Sequence, residues 1–171
     1  MDKRLGVRDY YNQYSTNYDT FYESIQQTKF LEFSSLLPFS PVVFDLGGGS
    51  GLLSNWLNTF IINLDLSYEM LQIGLKSRYY QAIACDLEYL PIRNSSINTF
   101  ISLTAIQNVS NQAQCIAEIG RSVEIHFFGI LTSLIKTTDI DQLSSLIAHN
   151  LCSNITKLAF SGEDYILMLQ N

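Results

Sequence analysis

Apolar residues of this chain fall in short runs, and polar or mixed segments with helical periodicity separate most of them. Runs of this length predict buried strands, and seven are placed at 42–46, 60–66, 79–85, 100–105, 126–134, 155–160 and 165–169. Helices are predicted between them: one at 52–57, one capped by Ser67, one capped by Ser110, and one begun by Thr138 and Asp141. Strands that alternate with helices and end in a hairpin predict an α/β fold. Its sheet should be mostly parallel, with helices on both faces and one antiparallel strand.

The first 40 residues differ from the rest, because they are rich in tyrosine and have no strand-like alternation. Two helical segments are predicted there, at about 7–14 and 24–37, and Pro38 and Pro41 close the second. We therefore expect a single domain over residues 1–171. It would consist of an N-terminal helical cap at 1–40 and an α/β core at 41–171.

Composition and charge exclude several functions. The chain has 171 residues, a net charge of −6 and a pI of about 4.7, and its basic residues form no stripe, so strong direct nucleic-acid binding by the isolated chain is not expected. The three cysteines lack metal-binding spacing, which predicts reduced thiols and no metal site. Neither a signal peptide nor an apolar run of membrane length is visible, so we expect a soluble, cytoplasmic protein.

An apolar run leads into a glycine-rich turn, in which Asp45, Gly47, Gly49 and Gly51 give the pattern D-x-G-x-G-x-G. Glycines permit backbone angles and close approaches that a Cβ would block. Because ligands of open α/β sheets collect at the carboxyl ends of the strands, a small ligand is predicted across this turn. A dinucleotide is disfavoured, since the G-x-G-x-x-G/A pattern needs a small third residue where this chain has Leu52.

Three acidic residues, Asp45, Asp65 and Asp86, lie at the carboxyl ends of the first three predicted strands. Parallel strands bring these ends to one crevice. There Asp65 suits the two hydroxyls of a ribose, Asp86 the exocyclic amine of an adenine, and Asp45 an ammonium group or an ordered water. The amide of Leu87 is placed to donate to a ring nitrogen. The set predicts a nucleoside that carries an amino-acid tail.

These motifs resemble, in order along essentially the whole chain, those of class I S-adenosylmethionine-dependent methyltransferases of the ubiquinone/menaquinone-biosynthesis type. Residues 45–51, 63–71 and 85–92 resemble the first three motifs of that family, and Tyr11 and Tyr18 resemble the tyrosine pattern of its cap. The resemblance implies a Rossmann-like methyltransferase fold with a seven-stranded sheet in the order 3-2-1-4-5-7-6, the last strand antiparallel. It also implies S-adenosylmethionine as cofactor and S-adenosylhomocysteine as product.

The cofactor contacts that the resemblance implies come from the cap, the glycine turn and the strand ends: Tyr18, Asp45, Gly47, Gly49, Gly51, Asp65, Leu66, Asp86, Leu87 and Thr104. For the N-terminal tyrosines, packing of aromatic rings against one another is as good an explanation as contact with the cofactor. After the fourth strand, Gln107 and Asn108 are candidates to orient a substrate, and capping of the next helix is the alternative. There is no N-P-P-[YF] sequence and no obvious general base, so no catalytic residue is assigned. Methyl transfer can run mainly on proximity and orientation.

Two classes of function stay open. The leading hypothesis is an active methyltransferase with an unidentified acceptor. The alternative is a non-catalytic subunit of methyltransferase fold that acts as a scaffold through a partner protein. The family's strand order puts strand 79–85 at the sheet edge, and this strand has neither charge nor proline. A small activator protein, of the type that the resemblance implies, or a second copy of the chain could pair with it.

Overall fold

The computed structural model describes residues 3–75 and 80–171 of the chain. Helix α1 (Lys3–Phe33) opens it and passes into a 3₁₀ turn. The prediction of two separate helices at 7–14 and 24–37 was wrong, because no glycine or proline stands between Gly6 and Pro38 to end the first one. The buried side of α1 is largely polar, which hides it from a search for apolar periodicity. Its buried residues are Ser15, Gln26, Lys29, Phe30 and Phe33.

Seven strands form the sheet, in the order β3-β2-β1-β4-β5-β7-β6. The strands are β1 (Val42–Leu46), β2 (Phe60–Asp65), β3 (Tyr80–Ala84), β4 (Ile97–Ser102), β5 (Val123–Leu134), β6 (Asn154–Ser161) and β7 (Asp164–Gln170). Strand β7 runs antiparallel to β5 and β6, and the pairs from β3 to β5 are parallel. The fold class, the strand order and the antiparallel last strand are confirmed. Residue 79, the predicted start of the third strand, lies outside the described residues.

Three further helices complete the two faces: α2 (Tyr68–Gly74), α3 (Gln112–Ser122) and α4 (Ile140–Leu151). On one face, Ile116 of α3 and Ile147 of α4 belong to a buried apolar cluster with residues of the sheet. On the other face, Phe33 of α1 and Leu71 of α2 pack with Ile101 and its neighbours. Because α1 contributes to this second cluster through its last turns, its earlier turns extend beyond the core and are available to cover the carboxyl end of the sheet.

Ser67 caps α2 as predicted, and its hydroxyl accepts from the amide of Met70 at 3.2 Å. The other two helix starts were misplaced by one residue. Asn111 rather than Ser110 caps α3, and Asp139 rather than Thr138 caps α4. The amide of Ser110 instead donates to Glu88, and the hydroxyl of Thr138 is hydrogen-bonded to Ser133. At Thr138 a tertiary partner therefore engages the hydroxyl that the local pattern favours as a cap.

The helix predicted at 52–57 is a short 3₁₀ helix, Leu52–Asn55. Strand β4 lies three residues earlier than predicted, and β5 begins at Val123 rather than at residue 126. Beyond β4, Thr104 adopts a left-handed backbone with φ of 57°, which a β-branched residue rarely does, so 103–105 leave the sheet. No helix among the described residues is long and apolar enough to cross a membrane.

Candidate functional site

The glycine turn after β1 has the backbone that its sequence predicts. Gly47, Gly49 and Gly51 have φ values of 76°, 55° and 79°, a region that favours glycine. A Cβ on Gly47 would collide with the side chain of Ala105, and one on Gly49 would lie 2.9 Å from Cε of Met70. The turn is therefore pressed closely against α2 and the loop after β4, and Gly47 and Gly49 are required for that contact.

Asp65, the last residue of β2, ties this turn to the next helix. Its Oδ2 accepts from the amide of Gly49 at 2.9 Å, and its Oδ1 accepts from the amide of Ser67 at 2.8 Å. Burial raises the pKa of this carboxyl group, although the backbone amides oppose that shift. Asp65 thus stands at the meeting point of the turn and the start of α2.

Asp45 lies beneath the turn and is 2% exposed. Burial, and secondarily the nearby charge of Asp65, raise its pKa to about 8. A carboxyl group of this kind is largely protonated at neutral pH, and a cation brought close to it would favour the ionised form. Asp45 is consequently a buried acid whose charge depends on what binds above it.

Asp86 follows β3 and faces the cap. Its Oδ1 accepts from the amide of Glu88 at 2.9 Å, and its Oδ2 lies 3.4 Å from a guanidinium nitrogen of Arg4 on α1. Glu88 in turn accepts from the amides of Ser110 and Asn111, at 2.6 and 3.0 Å. The loop after β3 is therefore anchored to the loop before α3, and α1 reaches across the crevice to meet it.

These groups surround a narrow cavity of about 80 Å³, here called the carboxylate cavity, which Arg4, Val7 and Tyr11 of α1 help to line. Eight of the predicted cofactor residues line it: Tyr18, Gly47, Gly49, Asp65, Leu66, Asp86, Leu87 and Thr104. The other two, Asp45 and Gly51, are not part of the lining. Asp45 supports the turn from below, and Gly51 begins the 3₁₀ helix.

A second, wider cavity of about 530 Å³ adjoins the first, and we call it the tyrosine cavity. Four residues line both cavities: Tyr11, Tyr18, Thr104 and Asn108. The wall of the tyrosine cavity also includes Tyr10, Tyr22, Gln107 and the buried pair of Lys29 and Asp164. The two cavities therefore meet along a boundary formed by α1 and the loop after β4.

Comparison with known proteins identifies the segment that carries the glycine turn. Residues 44–125 match the family model described as "Methyltransferase domain". This segment is a methyltransferase domain. It contains the end of β1, strands β2 to β4, the three acidic residues and the shared boundary residues Thr104 and Asn108.

Two curated relatives extend the likeness. An uncharacterised protein of Methanocaldococcus jannaschii is 25% identical over 159 residues, which is 91% of this chain and 61% of that protein. The mouse tRNA (carboxymethyluridine(34)-5-O)-methyltransferase ALKBH8 is 26% identical over 119 residues, 67% of this chain and 18% of that protein. This chain thus spans less than two thirds of the length of either relative.

A solved structure shows the same fold. The methyltransferase in the complex of the Haloferax volcanii Trm112 activator with a methyltransferase superposes with a TM-score of 0.79 at 14% identity. The match covers 96% of each chain. At this level of identity the likeness shows the fold alone.

At Thr104 the structure brings together a polar cluster that was not predicted from the sequence. The ammonium of Lys29 lies 2.7 Å from Oδ2 of Asp164 and donates to Oγ1 of Thr104 at 2.7 Å. Thr104 is itself 3.2 Å from Oδ1 of Asp164 and from Oγ1 of Thr132. Residues from α1, β5, β7 and the loop after β4 meet here. The spacing of residues along the chain does not indicate such a cluster. Its one signal in the sequence is Lys29, a lysine in a helix of weak apolar periodicity.

The two substrate candidates occupy the boundary. Gln107 donates to the carbonyl of Thr104 at 2.5 Å and accepts from the hydroxyl of Ser133 at 3.1 Å. Asn108 donates to the hydroxyl of Tyr11 at 3.1 Å. Neither caps α3, since that role belongs to Asn111. Gln107 braces the strained turn at Thr104, and Asn108 orients a tyrosine that lines both cavities.

Proposed function

We propose that this chain is an S-adenosylmethionine-dependent methyltransferase, and that the carboxylate cavity of its methyltransferase domain holds the cofactor. One observation carries the proposal. A glycine turn, the carboxylate of Asp65 and the start of α2 converge within hydrogen-bonding distance at the carboxyl end of a parallel sheet. This is where open α/β sheets bind nucleoside ligands.

The polar groups around the cavity fit an adenosine that bears an amino-acid tail. Asp65 would accept from the ribose hydroxyls, Asp86 from the adenine amine, and Asp45 would balance the ammonium group of the tail. The amide of Leu87 would donate to the adenine ring. When bound, the cofactor supplies a methyl group on a sulfonium, and the residues of the chain bind and orient it.

Entry of such a ligand requires the cap to move. Small-molecule pockets commonly hold about 300–1,000 Å³, whereas the carboxylate cavity holds about 80 Å³. The contacts that close it lie at or near the surface: Lys3 makes exposed hydrogen bonds to the carbonyls of Gln107 and Val109, and Arg4 pairs with the partly buried Asp86 across 3.4 Å. Pairs near the surface contribute about 0–1 kcal/mol each. The first turn of α1 would therefore open at small cost.

The tyrosine cavity is the proposed acceptor site, because it shares its boundary with the carboxylate cavity. Asn108 and Tyr11 would orient the acceptor, and Gln107 would hold the loop that carries Thr104. Transfer from a sulfonium is a displacement that depends on alignment of the reacting atoms. A positioned acceptor that loses its proton to solvent needs no general base from the chain.

Calorimetric titration with S-adenosylmethionine and S-adenosylhomocysteine tests the proposal. We expect binding at micromolar concentrations, and at least about 100-fold weaker binding for Asp65→Ala, because two hydrogen bonds to a charged group are lost. Asp141→Ala, which removes an exposed carboxylate of α4 that lines neither cavity, is the control and should bind normally. Absence of binding by the unchanged protein would overturn the proposal.

A partner protein is a second element of the proposal. Strand β3 pairs with β2 on one side and lies at the sheet edge, and the Haloferax methyltransferase forms a complex with a small activator. We infer that an activator of this kind, or a second copy of the chain, pairs with β3. Failure to co-elute with a candidate activator and to gain thermal stability, together with monomeric behaviour, would contradict it.

A scaffold role is the alternative to catalysis, and it is distinguished by binding of the cofactor without turnover. The proposal also takes the chain as one domain that works in the cytoplasm. The free thiols of Cys85, Cys115 and Cys152 support that location.

A further inference from the structure

Tyrosine rings form one wall of the tyrosine cavity. Tyr10, Tyr11, Tyr18 and Tyr22 belong to α1, and their rings contact one another in a series. Tyr18 and Tyr22 stack with ring centroids 4.7 Å apart, and Tyr11 meets Tyr18 edge-on at 6.0 Å. Rings arranged in this way offer both faces and edges to a further aromatic ring.

The ion pair of Lys29 and Asp164 in the cavity wall determines which polar group a bound ligand can carry. The side chains of Lys29 and Asp164 are 5% and 3% exposed, and the pair is neutral overall. Both carboxylate oxygens are engaged, one by Lys29 and the other by Thr104. An ammonium nitrogen has three protons, and the described residues accept two of those on Lys29. The cluster therefore has a donor to spare and repels a second buried cation.

A second donor lies on the same boundary. The hydroxyl of Tyr11 accepts from Asn108, so its own proton is free to be donated elsewhere. Burial raises the pKa of Tyr11 and keeps this hydroxyl protonated at neutral pH. Tyr11 and the Lys29 partner Thr104 line both cavities. An acceptor atom bound between Tyr11 and Lys29 lies next to the carboxylate cavity.

We propose that the tyrosine cavity binds an uncharged planar ring whose oxygen or ring-nitrogen lone pair is held by Lys29, with Asp164 as the positioning residue that orients the ammonium. The volume of about 530 Å³ accommodates a small molecule of one or a few fused rings. That this ring is the methyl acceptor rests on the proposed function.

Titration with matched two-ring probes, followed by NMR in the presence of saturating S-adenosylhomocysteine, tests this assignment. 2-Naphthol presents a planar ring and an oxygen, 2-naphthylmethylamine a planar ring and a cation, and decahydro-2-naphthol the oxygen without planarity. We expect 2-naphthol to bind at least about 10-fold more tightly than either of the other probes. The amine binding more tightly, or no binding of 2-naphthol while S-adenosylhomocysteine binds, would overturn the assignment.

Variants locate the probe. Lys29→Met alone leaves a buried unpaired carboxylate, so Lys29→Met/Asp164→Asn removes both charges together. The double variant should bind 2-naphthol at least about 10-fold more weakly, which is the effect of losing one charge-assisted hydrogen bond. Its affinity for S-adenosylhomocysteine should stay within about 3-fold. Tyr22→Leu should weaken 2-naphthol, whereas Phe21→Leu, at an exposed ring outside the cavity, should not. Unchanged naphthol affinity in the double variant would contradict the role of Lys29.

The test separates this assignment from the proposed function. Loss of S-adenosylhomocysteine binding by the unchanged protein contradicts the cofactor proposal. Titration with 2-naphthol in the absence of S-adenosylhomocysteine then tests ligand binding by the tyrosine cavity independently of the cofactor.

Discussion

The two adjoining cavities are built in different ways. The carboxylate cavity is formed by short segments that directly follow β1 to β4, with α1 lying across them, and the carboxylate of Asp65 accepts from the amides of two of these segments, at Gly49 and Ser67. The tyrosine cavity is formed by side chains that approach from α1, the loop after β4 and the start of β7. The first is a local construction repeated at successive strand ends, and the second is a tertiary one.

This difference in construction corresponds to a difference in function between binding of the cofactor and choice of the methyl acceptor. Backbone donors and a strand-end carboxylate serve any ligand of one chemical type, which suits a cofactor. A wall of tyrosines closed by a buried ion pair depends on which side chains this chain happens to bring together. We infer that cofactor affinity resides in the first cavity and acceptor choice in the second, and variants in each should separate the two properties.

The largest effect on stability is expected from the ion pair. Lys29→Met leaves Asp164 charged and buried, and breaking a buried pair in this way costs about 3–5 kcal/mol of the free energy of unfolding. Lys29→Met/Asp164→Asn should recover most of that loss. Denaturant unfolding of both variants measures it. A loss below about 1 kcal/mol in the single variant would mean that the pair is open to water.

Asp45 predicts a dependence of stability on pH. Its pKa is raised to about 8 in the folded chain from its ordinary value of 3.8. Between these values the folded state holds the extra proton, so stability falls as the pH rises from about 4 to about 8. The slope is at most about 1.4 kcal/mol per pH unit. Asp45→Asn should flatten it in denaturant unfolding at pH 6 and pH 8, and an equal slope in both proteins would contradict the assignment.

Two glycines with left-handed backbones offer a matched comparison. Gly162→Ala introduces a Cβ into open space, and should cost about 1 kcal/mol for its conformation alone. Gly49→Ala has the same conformational cost, and its Cβ also contacts Cε of Met70, so the free energy of unfolding should fall by a further amount of order 1 kcal/mol. The variant should also bind S-adenosylhomocysteine more weakly. Equal effects of the two changes on stability and affinity would mean that the turn has room to move.

The smallest effect is expected at the cap. Arg4→Gln removes a partly buried pairing with Asp86 whose atoms are 3.4 Å apart, and should change S-adenosylhomocysteine affinity by no more than about 3-fold while the association rate rises. Stopped-flow titration measures both quantities. A loss of affinity of 10-fold or more would mean that Arg4 contacts the ligand rather than closing an empty crevice.

Local pattern was sufficient for much of the fold and for the carboxylate cavity. The alternation of strands and helices, the glycine turn and the strand-end acids are each signalled within a few consecutive residues, and the strand order followed from the family resemblance. Where tertiary contacts decide, the predictions were less accurate. The polar buried side of α1 concealed one continuous helix, and a hydrogen bond to Ser133 engages the hydroxyl of Thr138, which was predicted to cap α4.

The Lys29 cluster could not be predicted for the same reason. Its contacting members stand 28 to 135 residues apart along the chain, and only the sheet order brings β7 beside β5. The left-handed backbone at Thr104 is held by two bonds from its amide to Thr132, at 3.2 Å to the carbonyl and 2.8 Å to the hydroxyl. Neither feature has a signature in the sequence around it.

Transfer of a labelled methyl group from S-adenosylmethionine into fractionated cell extract, with RNA, protein and small molecules separated afterwards, tests whether the chain is an active methyltransferase. The unchanged chain, with its activator if one is needed, should label one fraction, which we expect to be small molecules. Asp65→Ala should label none. Cofactor binding without label in any fraction would contradict the account and favour a scaffold.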